Sequence, residues 1–226
     1  MRELIDFVGG EIMTEDNESV MVPAAVIKRL PKYHCYLEKL LNEGREKISS
    51  QQLGEIVGVS APQLRQDLNY FGNFGQQGYG YNIEILYNSL SEVLGVQNKN
   101  NMVLVGVGNI GQALINSKDL ERKEFYLSAI FDINPKLIGV EINAMTVKDM
   151  EELKDYIEEN KIEIGVIAVP ATSAQEVAQQ MIEAGIKGIW NFSPIDLKLP
   201  DGIQVENEHL TEGLLRLSFK IESYKS

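Results

Sequence analysis

Cysteine is almost missing from this chain: Cys35 is the only one among 226 residues. A single thiol cannot close an intrachain disulfide, so the fold rests on its core and the expected compartment is a reducing cytoplasm. Histidine is nearly as scarce, with His34 and His209 alone, so the Cys/His spacings of zinc sites are absent and no metal is expected. No apolar run reaches about 18 residues, the length that argues for a membrane span, and no charged leader with an apolar stretch and a small-residue cleavage site opens the sequence. Net positive charge is missing too: 21 Lys and Arg face 33 Asp and Glu, a balance of −12. Taken whole, that argues against a surface built for polyanions.

What is present is ordinary for a globular protein, 44% hydrophobic and 24% charged, enough for one large or two small domains with a real core. The charge is unevenly spread. Residues 1–21 set Arg2 against Glu3, Asp6, Glu11, Glu15, Asp16 and Glu18 and carry −5, residues 22–80 carry +2, and the remaining 81–226 carry −9. A mildly basic module between an acidic tail and an acidic body permits DNA contact by the middle segment without establishing it. The stretch "MTEDNESV" reads as part of a mobile acidic arm over 1–21.

From Pro23 to Leu41, apolar residues recur at helical spacing, and Pro31 either kinks that helix or divides it. In "ISSQQLGEIVGVSAPQLRQDLNYFG", Ser49 with Gln52 is a capping box, Gly58 ends a short helix, and Ser60 with Gln63 opens the next, where Pro62 is tolerated in the first turn. Two short capped helices around a Gly-Val-Ser turn make a helix-turn-helix, or an ordinary capped pair within a helical protein. "FGNFGQQGYGYN" alternates glycine with aromatics and suits a β-hairpin, which would complete a winged helix over 22–82. The helix from Ala61 to Tyr70 would then enter the major groove, with Gln63 and Arg65 near base edges or phosphates, and the wing glycines would let backbone N–H groups approach phosphates.

A connecting helix and a polar linker are expected over 83–101. Apolar runs then alternate with helical stretches near 109–117, 148–160 and 173–185, the pattern of a doubly wound α/β domain with a parallel sheet over 102–208. Its first turn is "VLVGVGNIGQALINS". Gly106-x-Gly108-x-x-Gly111 follows a strand and opens a helix, and Asp132 ends the next strand 21 residues after Gly111. The glycines would serve the turn, the backbone approach to a pyrophosphate and the close helix packing; Asp132 would take the adenosine ribose, favouring NAD(H) over NADP(H). A Rossmann-like fold without a nucleotide, or with coenzyme A in the same crevice, stays open. An oxidoreductase would need a substrate domain and an acid–base pair, and neither is visible: His209 stands alone and the remaining residues are spent on the helix-turn-helix. The nucleotide is expected to be read, not consumed.

From about Val22 onward the chain resembles the redox-sensing transcriptional repressor family Rex, through "VPAAVIKRLPKY", "ISSQQLGEIVGVS", "LRQDLNYFGNFGQQGYGYN", "GVGNIGQAL", "AIFDINPKLIG", "IAVPATSAQEVA", "EAGIKGIWNFSPIDLKLP" and "VENEHLTEGL". The resemblance implies a winged helix joined to an NAD(H)-sensing Rossmann domain, a palindromic operator in double-stranded DNA, and a homodimer that exchanges its C-terminal helix over 209–226. Leu214, Leu215, Leu217, Phe219 and Ile221 give that helix an apolar surface, which could also dock within its own chain. By the same resemblance Gly106, Val107, Gly108, Asn109, Ile110, Gly111, Asp132, Val169, Pro170, Asn191 and Phe192 contact the cofactor. Lys28, Arg29, Ser49, Ser50, Ser60, Gln63, Arg65, Gln66, Tyr70, Gln77 and Tyr79 contact DNA.

The chain also departs from the family. Gln66 in the recognition helix and Gln77 in the wing stand where basic residues are customary, which removes phosphate contacts and flattens the salt dependence of binding. The family couples its domains through an Arg, a Tyr and an Asp whose positions here hold Cys35, Ser117 and His209. None of these reproduces an Arg–carboxylate pair. The resemblance therefore implies a divergent paralogue that NADH releases poorly from DNA, with a non-sensing DNA-binding or scaffold protein and an NAD-dependent oxidoreductase as the alternatives. A thiol sensor at Cys35 is conceivable, but a buried structural cysteine is the plainer expectation.

Overall fold

The computed structural model describes residues 6–8, 11–13, 19–72, 74–76 and 80–224. Gln77 and Tyr79, expected on the wing, lie outside these residues. The chain divides into two compact units, 1–98 and 99–226.

The N-terminal unit begins with three short antiparallel strands, β1 (Asp6–Val8), β2 (Glu11–Met13) and β3 (Ser19–Met21). Three short strands therefore lie within the stretch expected as an acidic arm. The backbone register sets Phe7 opposite Ile12 and Ile12 opposite Val20. Two helices follow, α1 (Ala24–Ile27) and α2 (Leu30–Asn42). Pro31 divides the helical pattern because it sits in the first turn of α2, where its missing N–H has no duty.

Next come β4 (Lys47–Ile48), α3 (Ser50–Val57), α4 (Ala61–Asn69), β5 (Gly75–Gln76), β6 (Gly80–Asn82) and α5 (Ile83–Val93). The short strands pair antiparallel in the order β4-β6-β5. Helix α5 is a core element of this unit and not a connector. Its Ile83, Leu86 and Leu90 are fully buried in one cluster with Tyr33, Leu37, Leu53, Leu64 and Leu68. Helices α2, α3 and α4 have too little apolar surface of their own to close a core, so α5 supplies the fourth wall.

The C-terminal unit holds β7 (Asn100–Val105), α6 (Asn109–Ile115), α7 (Lys118–Arg122), β8 (Phe125–Asp132), β9 (Glu141–Ile142) and β10 (Met145–Asp149). It continues with α8 (Leu153–Asn160), β11 (Ile164–Ile167), α9 (Ala171–Glu183), β12 (Gly188–Asn191), β13 (Gln204–Asn207) and α10 (Leu210–Ser223). The sheet runs β13-β12-β11-β7-β8-β10-β9, parallel except for the β9–β10 pair. Without β9 this is the doubly wound dinucleotide-binding order, which reverses between β7 and β11. On β7, Met102 and Leu104 enter one core cluster and Val103 and Val105 the other, so both faces are covered and the strand reads as a continuous apolar run.

The helix expected to start near 148 begins at Leu153, because β10 and a 3-10 turn at Met150–Glu152 occupy the preceding residues. The β9–β10 hairpin turns on Asn143 and Ala144, both at positive φ (48° and 62°). Such a turn demands two left-handed residues, and alanine does not announce one.

Candidate nucleotide crevice and nucleic-acid interface

The chain reversal between β7 and β11 brings two loops together. Gly106, at φ +99°, packs so closely that a Cβ there would lie 2.5 Å from the Ala168 carbonyl oxygen, and one on Gly111 would lie 2.0 Å from the Gly106 carbonyl oxygen. Gly108 differs: a Cβ would meet nothing within 4 Å. Two of the glycines are therefore needed for packing, while the third leaves open room beside the N-terminus of α6, where no side chain caps the helix.

At the end of β8, half-exposed Asp132 accepts hydrogen bonds from the Val107 N–H (2.8 Å) and the Asn134 N–H (2.9 Å). Both carboxylate oxygens are thereby oriented with lone pairs left over, as recognition of a ribose diol requires. Val169 is half-buried and Pro170 exposed beside the glycine loop. Ser193, which sequence reasoning missed, donates from its hydroxyl to the Val169 carbonyl (2.6 Å) and ties the loops after β11 and β12 together. Asn191 is fully buried. Its amide donates to the Ile195 carbonyl and the Asn207 Oδ1, both at 2.8 Å, while its own oxygen accepts from the Ser193 N–H at 3.0 Å. Its polar groups are committed to the loop, so its part is to hold half-buried Phe192 at the strand end.

In the N-terminal unit the box expected at Ser49 is complete, while that at Ser60 is made from one side only, because the Gln63 side chain turns to Asp67. Ser49 and Gln52 form a reciprocal capping box on α3, Gly58 ends that helix at φ +77°, and the Ser60 hydroxyl accepts from the Gln63 N–H. Exposed Arg65 donates from Nη1 to Ser50 Oγ (2.8 Å), joining α4 to the N-terminus of α3. Lys28, Ser60, Arg65 and Gln66 are exposed, and Ser49, Ser50, Gln63 and Tyr70 half-buried. Replacing Arg65 with alanine is expected to weaken binding to a palindromic operator at least tenfold, since a good Arg–base pair contributes about 1–3 kcal/mol per half-site. Equal anisotropy titrations for the variant and the wild type would overturn the recognition-helix assignment.

Arg29 behaves differently from a free phosphate clamp. Its Nε and Nη2 donate to Asp67 Oδ2 and Oδ1 at 2.6 and 2.7 Å, where the Tyr33 hydroxyl (2.5 Å) and the Gln63 amide (2.8 Å) also converge. Burial alone would raise the Asp67 pKa, but the hydrogen bonds from Arg29, Tyr33 and Gln63 outweigh it and hold the carboxyl below the usual range. Asp67 was missed by sequence reasoning. The available signal was a charge between Leu64 and Leu68 on the apolar face of α4, which asks for a buried partner.

The three family departures lie on α2, before α7 and before α10. Cys35 is exposed, not buried, because the core face of α2 is Leu30, Tyr33, His34, Leu37 and Leu40 and position 35 lies off it. Ser117 precedes α7 without capping it. His209 sits 3.6 Å from both Asp196 and Glu212, and its shielded Nε2 makes no hydrogen bond. Helix α10 buries none of its residues, and Leu214 (67%), Leu215 (69%) and Phe219 (75%) stay exposed. Docking of that helix within its own chain is thus not what the structure has. Among the described residues there is no cluster of metal-ligating side chains and no helix long and apolar enough to cross a membrane.

Two family models match the chain, a putative DNA-binding protein N-terminus over residues 21–69 and a CoA binding domain over 97–195. The redox-sensing transcriptional repressor Rex of Clostridium perfringens is 52% identical over 198 residues, covering 88% of this chain and 93% of its own. That of Thermoanaerobacter sp. (strain X514) is 50% identical over 205 residues, with 91% and 92% covered. The chain belongs to the Rex family. Among solved structures, the Rex-family repressor RSP in complex with β-NAD+ and operator DNA superposes with a TM-score of 0.86 at 49% identity, covering 91% of this chain and 95% of that one. RSP in complex with β-NADH gives 0.84 at 46%, with 91% and 97% covered. Rex relatives are repressors, so the oxidoreductase alternative is not favoured.

Proposed function

We propose that this chain is a homodimeric DNA-binding repressor of the cytoplasm that reads the NADH/NAD+ balance in the β7–α6 crevice and answers through the α3–α4 unit. The observation that carries this is the conjunction, in one chain, of a capped helix-turn-helix with a glycine turn at the point of strand-order reversal, matched over 91% of its length by a repressor solved with both NAD+ and operator DNA. The unburied apolar face of α10 supports the dimer.

Asp132 supports NAD(H) as the nucleotide. A carboxylate at the ribose disfavours a phosphate there, whether the 2′-phosphate of NADP(H) or the 3′-phosphate of coenzyme A. Asp132→Ala is accordingly expected to weaken NADH binding about tenfold or more, the scale of a charge-assisted hydrogen bond, and to narrow the gap to NADPH. Calorimetry with the two nucleotides checks this, and no binding of either NADH or NAD+ to the wild type would leave a fold used only for assembly.

With Cys35, Ser117 and His209 at the family's coupling positions, NADH releases this protein from DNA weakly. A ligand shifts two states only by its differential affinity for them, however tightly it binds. Operator affinity measured with and without NADH and NAD+ at fixed salt should change less than about tenfold with NADH. A hundredfold loss with NADH and none with NAD+, a difference of about 2.7 kcal/mol, would overturn the weakened relay.

A further inference from the structure

Gln63 is held by a partner that restricts what it can say to a base. It lies four residues before Asp67 on α4, and its Nε2 donates to Asp67 Oδ1 at 2.8 Å. An ionised carboxylate only accepts, so the amide must turn its nitrogen inwards. The carboxylate cannot swing away to release it. It is fully buried and also receives Arg29 through two nitrogens and the Tyr33 hydroxyl, from residues 38 and 34 positions distant. Half-buried Gln63 is left with its carbonyl oxygen as the group turned away from Asp67.

We infer that Asp67 fixes the polarity of Gln63, so that α4 presents an acceptor there and reads a major-groove donor, adenine N6 or cytosine N4, over guanine or thymine on the strand it faces. An unrestrained glutamine flips its amide and serves donors and acceptors alike. A locked one discriminates, because guanine offers only O6 and N7 and thymine only O4 at the major-groove edge, all acceptors. Adenine and cytosine each offer an exocyclic N–H donor to that oxygen. Asp67 is thus a positioning residue and Gln63 the reader. The inference rests on the DNA-binding reading above.

The test substitutes each operator position in turn and measures binding of the full-length dimer by anisotropy at fixed salt. The wild type should favour A or C over G or T roughly fivefold or more at one position per half-site. Gln63→Ala should level that position and leave the others unchanged. Asp67→Asn, with folding checked by its melting curve, should shift the preference there towards G or T, since an asparagine nitrogen facing Gln63 turns the amide over. In the wild type, the Gln63 side-chain amide hydrogens, assigned in NMR spectra by their loss in Gln63→Ala, should exchange slowly with solvent; this arm decides the lock if Asp67→Asn does not fold. A preference for G or T at the levelled position, no position levelled by Gln63→Ala, a folded Asp67→Asn with unchanged preference, or fast amide exchange in the wild type each overturns the inference alone. Absence of operator binding by the wild type at every position, with the amide still protected, instead overturns the DNA-binding reading and takes this inference with it.

Discussion

Replacing Gly111 with alanine is expected to cost the C-terminal unit several kcal/mol and to abolish NADH binding. The added methyl carbon would lie 2.0 Å from the Gly106 carbonyl oxygen and 3.6 Å from Leu104 Cδ2. The first contact is with backbone, so no rotamer change relieves it. Either α6 moves off the sheet or the Gly106 turn opens, and the turn is already pinned: its N–H donates to the Phe131 carbonyl at 2.9 Å, and it abuts Ala168. Overpacking of a dense interior typically costs about 1–3 kcal/mol and more where backbone must shift. The shift falls on the N-terminus of α6, so nucleotide binding suffers beyond the loss of stability. Gly108→Ala is the control, since a Cβ there meets nothing within 4 Å. It should leave the melting temperature nearly unchanged while occupying the open space beside the helix N-terminus. Melting curves and calorimetry check both, and a Gly111→Ala protein as stable as wild type would contradict the packing.

Asp67→Ala should destabilise the N-terminal unit by about 3–5 kcal/mol, the range for breaking a buried ion pair from one side. The variant leaves Arg29 without its anion and the Tyr33 hydroxyl and Gln63 amide without an acceptor. Hydrogen exchange should locate the loss in residues 24–93 and spare the parallel sheet; an even loss across both units would contradict the assignment. The double variant Arg29→Met, Asp67→Leu should recover most of it, because removing both charges leaves neither buried alone. The same network sets an acid limit. Asp67 is held below the usual carboxylate range, so its contribution is present above the unfolded pKa of about 4 and is lost as pH falls through the folded value. The N-terminal unit should therefore lose stability on acidification below about pH 4, and Asp67→Ala should flatten that dependence.

Features that depend on backbone demands within a few residues were legible in the sequence. The capping box at Ser49, the N-cap at Ser60, the break at Pro31 and the glycine turn from Gly106 to Gly111 each state a local requirement of φ, of an unpaired N–H or of close approach, and the structure has each where the spacing puts it. The alternation of apolar runs with helical stretches likewise announced the parallel sheet, since strands buried on both faces leave unbroken runs. Only the tertiary structure decided which side chains answer one another across the chain. Arg29 and Tyr33 meet Asp67 over separations of 38 and 34 residues, and Ser193 reaches Val169 over 24. Local periodicity carries no record of such pairs. Nor could it show that α5 closes the first core, that β1–β3 pair, or that α10 keeps its residues exposed. Each of these depends on which apolar surface is left unfilled after the neighbouring elements have packed, a quantity fixed by volume and not by pattern.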